Sequence, residues 1–230
     1  MQLSADTTSS LRIPRREVAG RRRHLDQRGY SLVEILVATA LTAVALSAFT
    51  SFNRFQLFAL RNQATQIGLQ TTARVVTDLM ARELRRAGMN PTCAAGFTAI
   101  TTAKSTEVQI NADLDGSGAL GGTNETITYK ITADAKKVER ITTASTDLLL
   151  FGYDLTGSSI QYFDSSGVQL VPPSGGLTTA QRATVRRVRI ELALAGDDYE
   201  ASTSKSLQAQ VSTDIDLRNR FFLNAPTCTS

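Results

Sequence analysis

Between Tyr30 and Phe52 the chain runs for 23 residues with a single formal charge, Glu34. A run of that length and polarity suits a helix crossing a bilayer, which takes about 20 residues. The preceding residues 21–29, Arg-Arg-Arg-His-Leu-Asp-Gln-Arg-Gly, are polar and basic. Basic residues on one flank predict that this end stays on the cytoplasmic side. An ordinary secretory signal would have a shorter apolar run ending at a small-residue cleavage site; here the run continues into more helix. A plain anchor fits the length and the flank but leaves Glu34 unexplained. A carboxylate in the lipid core costs about 2.5–3.5 kcal/mol on insertion scales, so a lone intramembrane acid calls for a partner and a function; the alternative is a snorkelling or protonated bystander.

Charge must be read by segment. Seven of the 25 basic residues and three of the 21 acidic ones fall within residues 1–29. That segment holds the whole +4 surplus, and residues 30–230 are balanced. The basic isoelectric point therefore gives no support to nucleic-acid binding by the rest of the chain. His24, the one histidine, lies in the same basic segment. Without it, mechanisms pairing Ser or Cys with His have no base. No phosphate-binding Gly loop, zinc spacing or dinucleotide fingerprint is present. The sequence thus points away from an enzyme.

The helix extends well past the apolar run. No proline occurs between Pro14 and Pro91, and good helix formers fill Gln56–Ala87. Leu69, Ala73, Val76, Met80, Leu84 and Ala87 follow a 4-3-4-4-3 spacing that makes one apolar stripe, with Arg74, Asp78, Arg82, Arg85 and Arg86 on the other faces. Gly88 supplies a stop and Pro91 follows. A helix from Tyr30 to Ala87 would be about 85–90 Å long at 1.5 Å per residue. From residue 104 the period changes to two. Strands are expected at 107–111, 125–132, 137–142, 147–151, 159–163, 168–171, 184–195 and 207–215. Asp164–Gly167 reads as a hairpin turn and Pro172–Gly176 as a loop. Short connections favour antiparallel pairing. The expected class is α+β: a long N-terminal helical spine, with a membrane-spanning half and an amphipathic half, packed on an antiparallel β-sheet.

Gly29-Tyr30-Ser31-Leu32-Val33-Glu34 followed by the apolar run resembles the prepilin signal of type IV pilins and type II secretion pseudopilins. The resemblance implies that a prepilin peptidase cuts after Gly29 and that Tyr30, where the family usually has Phe, becomes the N-methylated first residue. It also implies that Glu34 pairs with the Tyr30 amine of a neighbouring subunit. Such pairing offsets the burial of both charges and sets axial register. The implied organisation is a leader at 1–29, a transmembrane and filament-core half-helix at 30–52, an amphipathic half-helix at 53–90 and a β-rich head at 91–230. Glu83–Pro91, Asn111–Gly118 with Ile127–Tyr129, and Asp216–Asn219 resemble PilW-type minor pilins in particular. The function so implied is that of a minor structural subunit of a type IV pilus. The alternatives are a minor pseudopilin of a type II secretion system and a membrane-anchored adhesin or DNA-uptake pilin. The partners implied are other pilin subunits, prepilin peptidase, the inner-membrane assembly platform and, before assembly, membrane lipid. The protein would sit in the inner membrane with its head periplasmic, then in a pilus on the cell surface.

Three further features have competing readings. Asp113, Asp115 and Ser117 place oxygen donors at alternate positions before Gly118, as in the first half of a calcium loop. The twelfth position, counted from Asp113, is Asn124, with Glu125 one beyond. The alternative to calcium is an Asx-rich turn between two strands. Cys93 and Cys228 would form a disulfide in an oxidising compartment, tying the tail to the end of the spine, or remain two thiols. Arg182, Arg186, Arg187 and Arg189 form a basic run in which Arg187 and Arg189 share one strand face. With few aromatics interleaved, a solvated face or subunit contact is expected rather than a nucleic-acid platform.

Overall fold

A computed structural model describes residues 29–199 and 206–219. The chain divides into two compact units, Met1–Ser51 and Phe52–Ser230. One helix, α1 (Leu32–Leu84), contributes to both.

In the first unit every described residue of α1 is exposed, including Leu36, Leu41, Val44 and Phe49. The helix is long and apolar enough to cross a membrane. Its few hydroxyls are satisfied within the helix. Thr39, Thr42, Ser47, Thr50 and Ser51 donate to carbonyls three or four residues back at 2.7–3.0 Å. Such back-bonding lets these residues enter hydrocarbon without orphaned donors.

In the second unit α1 becomes one-sided. Leu69, Ala73, Val76, Met80 and Leu84 are buried, as the stripe predicts, together with Ala87 just beyond the helix. Thr77 and Ala81 widen it. Between Phe52 and Gly68, by contrast, Phe55, Leu57, Phe58, Leu60 and Ile67 stay exposed. The regular helix stops at Leu84, and i→i−3 bonds from Arg86, Ala87 and Met89 tighten the end. Gly88 takes φ 85°, which favours glycine, and its N–H donates to Asn111 O at 2.9 Å.

Two antiparallel sheets cover the stripe where one was expected. The first is a five-stranded meander, β1 (Ile100–Ala103), β2 (Glu107–Asn111), β3 (Thr126–Thr132), β4 (Lys137–Thr142) and β5 (Thr146–Phe151), paired in that order. The second pairs in the order β7 (Gln169–Leu170), β6 (Ser159–Phe163), β8 (Arg187–Tyr199) and β9 (Ser206–Asp216). The chain leaves the first sheet through Gly152 (φ 88°) and Gly157 (φ 91°). Those left-handed positions turn β6 away from β5. The sheets meet at the β1–β2 connection. There Ile160 N donates to Ser105 O at 2.7 Å, and the Tyr162 hydroxyl donates to Lys104 O at 2.9 Å. Burial raises the Tyr162 phenol well above its ordinary range.

Local departures have physical reasons. Strand β1 is four residues long with its two ends buried and its middle half-buried, so it carries no period-two signal. The strand expected at 184–195 starts only at Arg187, because residue 184 ends α2 (Thr179–Thr184), a helix fixed by a capping box. In it the Thr178 hydroxyl accepts from Gln181 N at 3.3 Å, and Gln181 Oε1 accepts from Thr178 N at 3.0 Å. The Asp164–Gly167 hairpin turn and the Pro172–Gly176 loop form as expected.

Candidate functional site

Gly29, Tyr30 and Ser31 precede the helix and are exposed; Tyr30 is 80% accessible. A Cβ added at Gly29 would meet nothing within 4 Å. The peptide bond after Gly29 therefore lies in open, non-helical backbone, the form a peptidase can engage. Ser31 O accepts from Ile35 N at 3.1 Å, which starts the helical ladder. Glu34 sits in the first turn. There the free N–H groups and the helix dipole favour a carboxylate, which partly offsets its cost among apolar neighbours. The structure thus brings Gly29, Tyr30 and Glu34 together at one helix start in the first unit.

The second cluster lies between β2 and β3. Ligand atoms of Asp113, Asp115 and Glu125 all fall within 4.8 Å of one another. Asp113 and Glu125 are buried. Asp113 Oδ1 accepts from Gly116 N (2.8 Å) and Ser117 N (3.2 Å), and Oδ2 from Gly118 N (3.0 Å) and the Thr92 hydroxyl (3.3 Å). Glu125 Oε1 accepts from Leu114 N (3.0 Å) and Asp115 N (3.4 Å), and Oε2 from Gly122 N (2.5 Å). A Cβ at Gly122 would lie 2.7 Å from Glu125 Cδ, so the close approach requires glycine. Hydrogen bonds to Ser117 lower the Asp115 carboxyl pKa. The donor set has the chemistry of a hard-cation site, yet backbone N–H groups already engage all four buried carboxylate oxygens. The loop closes upon itself as an Asx-type turn, with Glu125 as its second anchor. Ser117 contributes its N–H, and its hydroxyl turns to Ala119 O at 3.3 Å.

Cys93, just past the helix end with φ 53°, is disulfide-bonded. Cys228 lies outside the described residues. Arg187 and Arg189 share a face, as the strand period requires. Their guanidinium carbons stand 4.6 and 5.3 Å from the centroid of the Phe163 ring. Arg189 grips Asp214 with two bonds of 2.9 and 3.0 Å and holds its carboxyl below the usual range. Arg182 and Arg186 donate to the Leu177, Ala183 and Val185 carbonyls. The basic run is thus largely engaged within the head.

Sequence reasoning missed the polar lock between α1 and the first sheet. Arg140 on β4 meets Glu83 through Nε–Oε2 (2.9 Å) and Nη2–Oε1 (3.0 Å). It also donates to Asp147 Oδ2 (3.0 Å) and Asn124 Oδ1 (2.7 Å). The Tyr129 hydroxyl donates to Glu83 Oε2. Burial, and then this bond, raise the Tyr129 phenol far above its ordinary range, while the Glu83 bonds raise the Arg140 guanidinium. The partners lie 46 and 57 residues from Glu83 in the chain, and no local spacing announces them. The Asp216–Asn219 segment also acquires a physical role. Leu217 is fully buried, and Asn219 Nδ2 donates to Arg85 O (3.1 Å) and Arg86 O (3.3 Å), capping the end of α1.

The family described as prepilin peptidase-dependent protein B matches residues 62–221, and the prokaryotic N-terminal methylation motif matches residues 25–50. No curated protein and no solved structure matches the chain. The first match covers the head and the lower part of α1; the second covers the Gly29–Tyr30 junction, Glu34 and the start of the apolar helix. Proteins of these families are structural subunits rather than enzymes, are substrates of prepilin peptidase and assemble with other pilin-type subunits. The chain belongs to the prepilin peptidase-dependent protein B family: it is a type IV pilin-like prepilin, anchored in a membrane by its N-terminal helix.

Proposed function

We propose that the protein is a minor subunit of a type IV pilus, cut after Gly29 and N-methylated on Tyr30. It waits in the inner membrane with its head periplasmic and enters the filament through α1 and the assembly platform. The observation that carries this reading is the lone carboxylate of Glu34 in the first turn of an exposed apolar helix, the fifth residue after the cleavage junction. Cleavage creates an amine at Tyr30. In a helical array that amine meets the Glu34 carboxylate of a neighbour, and each charge supplies the partner the other lacks in an apolar setting. A Cys93–Cys228 bridge would tie the tail to the segment after α1. Cys93 is disulfide-bonded and the sequence holds one other cysteine. Closing a loop of about 135 residues stabilises by several kcal/mol on the chain-entropy account.

Glu34→Gln tests the reading. The variant is expected to reach the membrane at wild-type levels and to be lost from the sheared filament fraction. Normal incorporation overturns the charge-pairing account. Loss of protein secretion with pili intact in cells lacking the subunit would place it in a secretion machine instead.

A further inference from the structure

Residues 30–230 are balanced in charge as a whole, but the second unit segregates that charge. Arg74 and Arg82 on α1, and Arg85 and Arg86 in its closing turn, are all exposed, away from the buried stripe of the same helix. The tertiary fold adds a fifth arginine. Leu217 is buried and its N–H donates to Arg186 O at 2.8 Å, while Asn219 Nδ2 donates to the Arg85 and Arg86 carbonyls. Arg218, held between them and exposed, is thereby brought to the end of α1.

Among the described residues none of the five has a carboxylate partner. Arg82 reaches a carbonyl, Asp78 O, at 3.3 Å. Two exposed acids stand close in the chain, Asp78 one turn before Arg82 and Asp216 two residues before Arg218. Glu83 is spent on Arg140. Residues 220–230 contain no Asp or Glu, so that tail brings no acidic side chain to the patch. The helix dipole favours cations in the last turn, which accounts for Arg82, Arg85 and Arg86. It does not account for Arg74, ten residues before the helix ends at Leu84. Nor does it account for Arg218, since Asn219 already satisfies the last carbonyls.

The composition of the patch narrows its partner. All five cations are arginines, whose planar forks match phosphate oxygens in pairs. Single-stranded nucleic acid calls for exposed aromatic rings on which bases stack. Here the exposed rings lie elsewhere: Phe52, Phe55 and Phe58 precede Arg74 by at least 16 residues, about 24 Å along the helix, and Phe151 ends β5. A protein interface has a desolvated apolar centre, whereas the large apolar side chains exposed beside these arginines are Val75 and Met89. Arg82 stands 30 residues beyond Phe52, about 45 Å along the helix, several screening lengths of about 8 Å from the end of the apolar run.

We propose that Arg74, Arg82, Arg85, Arg86 and Arg218 form a binding surface for the phosphate backbone of a nucleic-acid duplex, read without regard to base sequence. Three of the five lie at fixed intervals on one rigid helix, and Asn219 fixes the position of the fifth.

Salt-dependent binding of the full chain in detergent to a labelled 20-base-pair DNA duplex tests it. If all five arginines meet phosphates, the logarithm of the binding constant should fall against the logarithm of salt with a slope of about −4.5. That is a loss of about 500-fold between 50 and 200 mM salt. Arg218→Gln should reduce the steepness by about 1, and Arg85→Gln with Arg86→Gln by about 2, equally on two duplexes of unrelated sequence. Arginines of residues 1–29, where retained, add the same increment to wild type and variants, so the differences in slope isolate the patch. The replaced side chains make no bonds within the head, so the variants should melt as the wild type does. Arg54→Gln with Arg61→Gln, exposed on the same helix, should leave the slope unchanged. Unaltered slopes in the patch variants overturn the proposal, as does an equal change in the Arg54 and Arg61 control. Binding to anionic phosphatidylglycerol vesicles or to polyglutamate as tight as to the duplex, and lost in the same variants, overturns it in favour of a lipid or an acidic protein.

Discussion

Replacing Glu83 by Gln would expose what the lock between α1 and the first sheet contributes. The change keeps the shape and removes the charge. Arg140 then retains Asp147, whose side chain is 49% exposed, and the Asn124 amide, while its own side chain is only 11% exposed. Removing one partner of a buried ion pair costs about 3–5 kcal/mol, and the remaining Asp147 contact places Glu83→Gln near the lower end. For a unit of this size, about 3 kcal/mol lowers the melting temperature by roughly 6–12 °C. The assay is thermal unfolding of the full chain in detergent, followed by near-ultraviolet circular dichroism of the head tyrosines. Combining Glu83→Leu, Tyr129→Phe and Arg140→Leu removes both charges and the phenol that needs an acceptor. That variant should return to within about 1–2 kcal/mol of the wild type, because an apolar replacement no longer leaves a charge unpaired. A melting temperature for Glu83→Gln equal to the wild type, or a triple variant no better than the single, refutes the reasoning.

Two other outcomes follow from the buried polar groups. Tyr129 and Tyr162 have phenol pKa values raised above the ordinary 10.0, so the folded head keeps two protons that the unfolded chain releases. Their contribution is complete below pH 10 and is lost as pH rises above it. Alkaline titration should show cooperative unfolding together with tyrosinate absorbance, and reversible ionisation of both phenols in an intact head would contradict this. Asp113→Asn should cost about 1–3 kcal/mol in thermal unfolding by weakening the bonds from the Gly116, Ser117 and Gly118 amides. Calcium and chelator should leave the wild-type melting temperature unchanged; a clear rise with calcium would show that the carboxylates bind the ion.

Features that depend on short-range periodicity were readable in the sequence. The buried stripe from Leu69 to Leu84, the Gly88 stop and the face shared by Arg187 and Arg189 all follow from 3.6- or two-residue spacing. The abrupt change in charge and hydropathy at Gly29 and Tyr30 likewise announces the apolar helix that starts at Leu32. What escaped depends on distant contacts or on very short elements. The division into two sheets turns on the left-handed glycines at 152 and 157, whose effect on strand direction no alternation pattern encodes. Strand β1 is too short to show a period. The Thr178–Gln181 capping box starts a helix of only six residues, too short to show a 3.6-residue period. Glu125, the second anchor of the acidic turn, sits one residue past the position an EF-hand count examines. Its role comes from the backbone closing around it.

The central claim is that the chain is processed at Gly29 and presents Tyr30 as its first residue. Intact and N-terminal peptide mass spectrometry of the protein purified from its own membranes or filaments tests it most directly. The account predicts a mature chain beginning at Tyr30, carrying one methyl group on its amine, with Glu34 at the fifth position. A protein that retains residues 1–29, or that begins at any other residue, would contradict it.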